Sequence, residues 1–168
     1  MKKIITTLLL VLLAISPGIS QNKKAEREAA AQAMFEKAKA AINAKEFVIV
    51  PDSYEKSDGS PETNTDDAIF ISYETDFFYL QGEIVCGNKF TNRAEVTSYN
   101  VKEDKKGNLF VEMQVKGNQI TARVEIQMRK GSNYADITVY PTKGDARKFS
   151  GEVVPRAEAK YFKRPNVV

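Results

Sequence analysis

No histidine and no tryptophan occur in this chain of 168 residues, and cysteine occurs once, at Cys86. Without histidine, a nucleophile cannot be paired with an imidazole base, so serine- or cysteine-hydrolase chemistry of that kind is excluded. One thiol cannot close an internal disulfide, and with no imidazole beside it cannot assemble a Cys/His zinc site. No glycine-rich phosphate loop is present. The nearest stretch, "PTKGDARKFSG" at 141–151, lacks the following helix that such a loop requires. Charge of one sign is also scarce: the formal net charge is +3. That is too little for the clustered basic surface that phosphate backbones demand, so no nucleic-acid partner is expected. These absences leave no catalytic residues, no metal ligands and no cofactor to assign.

The N-terminus has the pattern of a secretory signal peptide over 1–20. Lys2 and Lys3 precede an apolar stretch from Ile4 to Ile15, Pro17 and Gly18 break it, and small residues lead to cleavage between Ser20 and Gln21. The apolar stretch is shorter than the roughly 20 residues that a permanent spanning helix needs, so no transmembrane span is expected after removal. Losing Lys2 and Lys3 lowers the charge from +3 to +1 and leaves 168 − 20 = 148 residues, enough for one domain with its own core. Cys86 is far from the new N-terminus and so cannot be the lipid-bearing cysteine of a lipoprotein.

One helix-plus-β domain is expected over 21–155. Residues 22–45 are rich in Ala, Glu, Lys and Gln with no Gly or Pro, and Ala31, Met34/Phe35, Ala38 and Ile42 recur near one helical face. "FVIV" at 47–50 reads as a strand stopped by Pro51. Residues 52–67 carry six acids and one lysine, which reads as a solvated flexible loop. It is not a calcium loop, because Tyr54, Lys56 and Asp58 occupy the alternating places before Gly59 where liganding side chains belong.

Strand after strand follows, and parity decides the register. Side chains alternate faces, so a hairpin must set inward residues against inward ones. A turn at Gly117-Asn118 would pair Val115 with Ile120, Met113 with Ala122 and Val111 with Val124. A turn at Gly131-Ser132 pairs Met128 with Ala135 and Val124 with Val139. Turns at 105–107 and 75–76 pair Tyr99 with Met113 and Tyr73 with Phe78. A last strand covers 147–154. The resulting fold class is mainly β: about eight antiparallel strands in a meander, forming a barrel-like or strongly curved sheet with the N-terminal helix packed on it. A two-layer β-sandwich is the alternative. Outward positions such as Glu112, Gln114, Arg123, Glu125 and Gln127 are polar, which argues against a lipid-facing barrel. Residues 156–168 are basic, lack a core pattern, and read as a disordered tail. Cys86 shares parity with Phe78, Leu80 and Ile84, so it is expected inside as an inert filler.

The inward set is mostly of medium-sized aliphatics and looks thin around Met113, Ala122 and Ala135. The helix, through Phe35 and Ile42, is expected to fill that space from one end, leaving at most a small apolar pocket near Met113 and Ala122. Outside, Arg123 lies opposite Tyr140 and Arg129 opposite Tyr134. Arginine beside tyrosine suits glycan or protein contacts, so these four form the candidate binding surface; the plain alternative is an ordinary solvent face.

The stretch from Tyr99 to Pro155 resembles an exported family of Bacteroidetes bacteria known as domain of unknown function 4251. The resemblance rests on a signal peptide, a Lys/Ala/Glu-rich helix, the "DKKGN" turn at Asp104 to Asn108, the "GSN" turn at Gly131 to Asn133, and the closing Ser150 to Pro155. Where many members carry an "LPYFG"-like segment, this chain has "LQGEIVCGN". The resemblance implies a location, the periplasm or cell surface of a Gram-negative bacterium, and no activity. The function expected is a non-enzymatic binding module of the envelope for an unknown small ligand or envelope protein. A structural or accessory envelope protein is the alternative, and an enzyme the third reading.

Overall fold

The computed structural model describes residues 18–168, so the expected signal peptide lies almost wholly outside the described residues. Helix α1 spans Gly18–Ala44, with Ser20 and Gln21 among its first residues. Strands β1 (Glu46–Glu55), β2 (Pro61–Thr63), β3 (Phe70–Glu74) and β4 (Phe77–Gln81) follow. A single helical turn, α2 (Glu83–Cys86), leads into β5 (Thr91–Glu103), β6 (Leu109–Gly117), β7 (Thr121–Met128), β8 (Tyr134–Pro141) and β9 (Arg147–Pro155). The sheet has nine strands in the order β2-β1-β3-β4-β5-β6-β7-β8-β9, and β1 also pairs with β9. Eight strands therefore close into an antiparallel barrel, and β2 is an extra strand on the outside of β1. Closure removes the free edges that a sheet of this size would otherwise expose.

The alternation read from the sequence holds around the barrel. Val101 pairs with Val111 and Tyr99 with Met113; Tyr73 pairs with Phe78; Met128 pairs with Ala135 and Val124 with Val139. The β6–β7 register differs from expectation by two residues: Val115 lies opposite Ala122, Met113 opposite Val124 and Val111 opposite Ile126. The turn is Asn118-Gln119, bounded by a bond from the Gly117 N–H to the Ile120 carbonyl (2.7 Å). Parity cannot detect this slip, because a shift of two keeps every side chain on its own face. Gly117 serves a different purpose from the one its turn-like neighbourhood suggests. A Cβ there would sit 2.5 Å from the Arg93 carbonyl oxygen on β5.

Three other expectations are corrected. Pro51 does not stop β1; the strand runs on to Glu55 through an irregularity between Pro51 and Ser53, the kind of place where a strand tolerates proline. The acidic segment is not simply a loop, since Ser53–Glu55 pair with β2 and the Asn64 side-chain amide donates to the Pro51 carbonyl (2.7 Å). Cys86 is not on a strand. Gly82, at φ +104, turns the chain out of β4 into α2, which cancels the parity argument beyond Gln81.

Both barrel ends are plugged. α1 crosses the end that holds the 75–76, 104–108 and 129–133 turns. Phe35, Ala38 and Ile42 of α1 are fully buried and join the inward strand residues in one apolar cluster. Lys45, at φ +58, ends the helix, and the Ile42 carbonyl accepts from the Lys45 N–H and the Tyr99 hydroxyl (2.8 Å). At the opposite end α2 inserts Val85, also fully buried, against β4, β8 and β9. The region expected to be thin is closed: Met113, Ala122 and Ala135 are buried within the same cluster as Phe35 and Ile42.

Candidate functional site

The four predicted surface residues do not converge. The Arg123 guanidinium stacks 4.4 Å from the Tyr140 ring centre and pairs with Glu125 at 3.2 Å. Tyr134 instead reaches across β9 to β1, where its hydroxyl donates to Asp52 (2.5 Å) and lies 3.2 Å from the Ser53 hydroxyl. Arg129 lies just past the end of β7, in the turn. Arg123 and Arg129 are six positions apart, about 20 Å along an extended strand. Arg123 and Tyr140 are thus in contact at one end of the hairpin, while Arg129 and Tyr134 lie at the other end, where Tyr134 is engaged by β1. Phe110, on neighbouring β6, is exposed on the same outer side of the barrel and adds an apolar element between them.

Cys86 is half-buried and free. Its sulfur lies 3.1 Å from the Gly82 carbonyl, and the Asn92 side-chain amide donates to it from 3.2 Å. Burial pushes the thiol above its ordinary range, against smaller opposing effects from Asn88 and Arg147. Burial thus favours the thiol over the thiolate, and Cys86 sits in a helical turn and not on a strand as the parity implies.

Several glutamates pair with cations: Glu55 with Lys148 (3.0 Å), Glu103 with Lys39 (2.5 Å), Glu46 with Arg156 (2.7 Å) and Glu158 with Lys37 (3.2 Å). Among the described residues no group of three or more His, Cys, Asp or Glu side chains is arranged to hold a metal ion. No described helix is long and apolar enough to cross a membrane.

A second site was not foreseen. Residues 156–168, expected to be a disordered tail, run back over the outer face of β1, β3, β4 and β5 as a strap. The reason is that these strands carry apolar and polar side chains outward that need a cover. Val48 and Phe70 point away from the barrel core and are nonetheless buried, as are Ser72, Gln81 and Thr91. The Gln81 amide donates to the carbonyls of Ala68 (2.6 Å) and Phe162 (2.8 Å). Its oxygen accepts from the Arg164 N–H (2.9 Å) and from the Thr91 hydroxyl. Phe70 meets the Tyr161 ring edge-on, with centres 4.7 Å apart. Glu74 receives the Lys163 ammonium (3.0 Å), the Arg156 guanidinium (3.3 Å) and the Ser72 hydroxyl (2.7 Å). Burial raises the Glu74 carboxyl, but the Ser72 and Lys163 hydrogen bonds and the two cations outweigh it and hold the group below the usual carboxylate range. The clue available in the sequence was an apolar residue on each face: "FVIV" and "AIFISY" are apolar at both parities, which one core alone does not require.

A family model matches residues 29–153. The chain belongs to the family described as a domain of unknown function, DUF4251. The crystal structure of a DUF4251 family protein from Bacteroides eggerthii DSM 20697 is similar in fold, with a TM-score of 0.69 at 20% sequence identity. The similarity covers 79% of this chain and 94% of that one. No curated protein matches. The "DKKGN" motif has a structural role here. The Asp104 carboxylate accepts from the N–H groups of Lys106 (2.8 Å) and Asn108 (2.9 Å), and the Asn108 side chain accepts from the Lys130 N–H (3.2 Å). The motif thus ties one hairpin turn to the next. The matched region stops before the strap begins.

Proposed function

We propose that this member of the DUF4251 family is an exported, non-enzymatic binding module of a Gram-negative envelope, and that it meets its ligand or partner with the outside of the barrel. The observation that carries this reading is the plugged interior. Phe35 and Ile42 enter from one end and Val85 from the other, and all belong to the core or pack directly on it. An eight-stranded barrel has room either for its own side chains or for one small ligand, and here side chains take the space. The pairing of Glu46, Glu55, Glu74 and Glu103 with cations supports a non-enzymatic role for these carboxylates, because a general acid or base needs a carboxyl whose proton affinity is tuned upward. Export is supported by the Lys2–Gln21 sequence pattern, and the Gram-negative setting by the Bacteroides source of the similar structure. Of the outer surfaces, the one around Arg123 and Tyr140 combines an exposed aromatic ring with a guanidinium, a composition common at contact sites.

The alternative, a structural or accessory envelope protein, is favoured by one feature. Residues 23–30 of α1 are exposed to solvent, and Met34 on the following turn is exposed as well. Native mass spectrometry of protein purified from its own envelope separates these readings from a carrier role. The expected result is the bare chain mass, starting at Gln21. A reproducible apolar adduct would show that the interior opens, and an intact Met1 would remove the case for export.

A further inference from the structure

The strap and the face beneath it have an unequal relationship. No residue of 156–168 is fully buried, and Phe162 and Val167 are 56% and 44% exposed, yet Phe70, Ser72, Gln81 and Thr91 beneath are fully covered. The strap contributes nothing to the core cluster. The face beneath is therefore a built groove, and the strap is its occupant, not part of the barrel's framework.

The groove reads its occupant in two ways. Gln81 bonds the carbonyl of residue 162 and the N–H of residue 164, the pattern with which one strand holds the alternate peptide groups of a parallel neighbour. The Thr91 hydroxyl shares its one proton between the Gln81 oxygen and the Arg164 carbonyl (3.1 Å), and its main chain accepts from the Val168 N–H (2.9 Å). These bonds recognise extended main chain whatever its sequence. Side-chain selectivity comes from Phe70, which takes an aromatic ring, and from Glu74 with the Tyr79 ring, which together take an ammonium two residues later. We propose that residues 70–93 form a peptide-recognition groove for an extended segment of a partner protein bearing an aromatic residue followed two positions later by lysine, and that the C-terminal strap holds this groove as a displaceable internal occupant.

Charge complementarity supports that partner, since the carboxylate of Glu74 lies largely buried at the groove and needs a cation to remain charged there. Shallow seating supports displacement, since no residue of 156–168 is fully buried. The groove matches a known mode of recognition, in which main-chain bonds give affinity and side-chain pockets give specificity. A tethered occupant competes at an effective concentration in the millimolar range, so a partner must bind more tightly than the strap or meet it loosened.

The proposal deepens the binding-module reading and rests on it. Its test uses a fluorescent synthetic peptide, AKYFKRPNVV, corresponding to residues 159–168. Fluorescence anisotropy would compare the full chain with a full-length double variant, Tyr161→Ser with Lys163→Ser, which loosens the strap and leaves the groove intact. The variant should bind the peptide about tenfold or more tightly than the unaltered chain, whose groove is filled. The peptide carrying Lys163→Glu should lose about tenfold or more, by repulsion from Glu74. Equal binding of the two peptides, or none to a folded variant, would overturn the proposal. Elution of the variant as a dimer would also overturn it, in favour of tail exchange between two copies. Should the variant not fold, the unaltered chain decides. Peptide at millimolar concentration should shift the Gln81 side-chain amide resonances, and unmoved resonances would show that the strap is fixed. An apolar adduct in the mass spectrum would sink the external-contact reading without changing these peptide results. Failure of the peptide assays would leave a bare chain mass standing.

Discussion

Val124 shows what a single side chain decides in this fold. It is fully buried, with Met113 opposite on β6 and Val139 opposite on β8. A carboxylate there would be an unpaired charge in apolar surroundings, so Val124→Asp is expected to prevent folding. Its neighbour Glu125 faces outward and shares an exposed ion pair with Arg123. Glu125→Ala should shift the midpoint of urea unfolding by an amount equivalent to less than about 0.5 kcal/mol. Comparable effects at both positions would contradict the alternation. Cys86 illustrates a residue whose chemistry is set by place. Because burial favours the protonated thiol, native protein should react with a thiol reagent far more slowly than unfolded protein at neutral pH. Its contribution to stability is complete below the ordinary thiol range and is lost as pH rises through the raised folded value. Cys86→Ser should change stability by less than about 1 kcal/mol, since a hydroxyl there finds the Gly82 carbonyl and the Asn92 amide within reach.

At the scale of elements, the strap is the part with the clearest dependence on conditions. Glu74 holds it through Lys163, Arg156 and the Tyr161 hydroxyl. The folded carboxyl lies below its usual range, so the interaction is present above the unfolded pKa and is lost as pH falls through the folded one. The protection of the 161–168 amides, taken relative to their intrinsic exchange rates, should therefore be lost as pH falls below the ordinary glutamate range. In Glu74→Gln the same amides should exchange faster at neutral pH and lose most of that acid response. An unchanged profile would mean that Glu74 does not latch the strap. Helix α1 behaves differently. Its attachment comes from Phe35, Ala38 and Ile42 within the core, so it should exchange with the barrel and not with the strap.

For the molecule as a whole, the decisive pairing is between β1 and β9, which joins residues about a hundred positions apart and converts a curved sheet into a closed barrel. Gly151 lies on that seam, opposite Pro51, and a Cβ there would come within 2.5 Å of the Val50 carbonyl oxygen. Backbone on both strands would have to separate. Gly151→Ala is expected to cost about 1–3 kcal/mol in equilibrium unfolding, with one cooperative transition retained because the barrel has one core. A neutral result would mean that the seam is looser than its geometry indicates.

What was legible in the sequence follows from how information is stored along a strand. Alternation with a period of two is local, so Leu109, Val111, Met113, Val124, Ile126, Ile137 and Val139 could be placed inside without a structure, and all are buried. Length and strand number then implied a barrel, and the Ala- and Lys-rich composition of 22–45 implied the helix. The tertiary structure alone decided three matters. It chose the β6–β7 register, because parity is blind to a slip of two and the close approach of Gly117 to Arg93 is a contact between distant segments. It placed Cys86 in a helical turn, because Gly82 leaves the strand and ends the parity on which the inward reading depended. And it turned a basic tail into a strap, because the partners of Tyr161, Lys163 and Arg164 lie on β3, β4 and β5, some 70 to 90 residues earlier, where no local pattern could announce them.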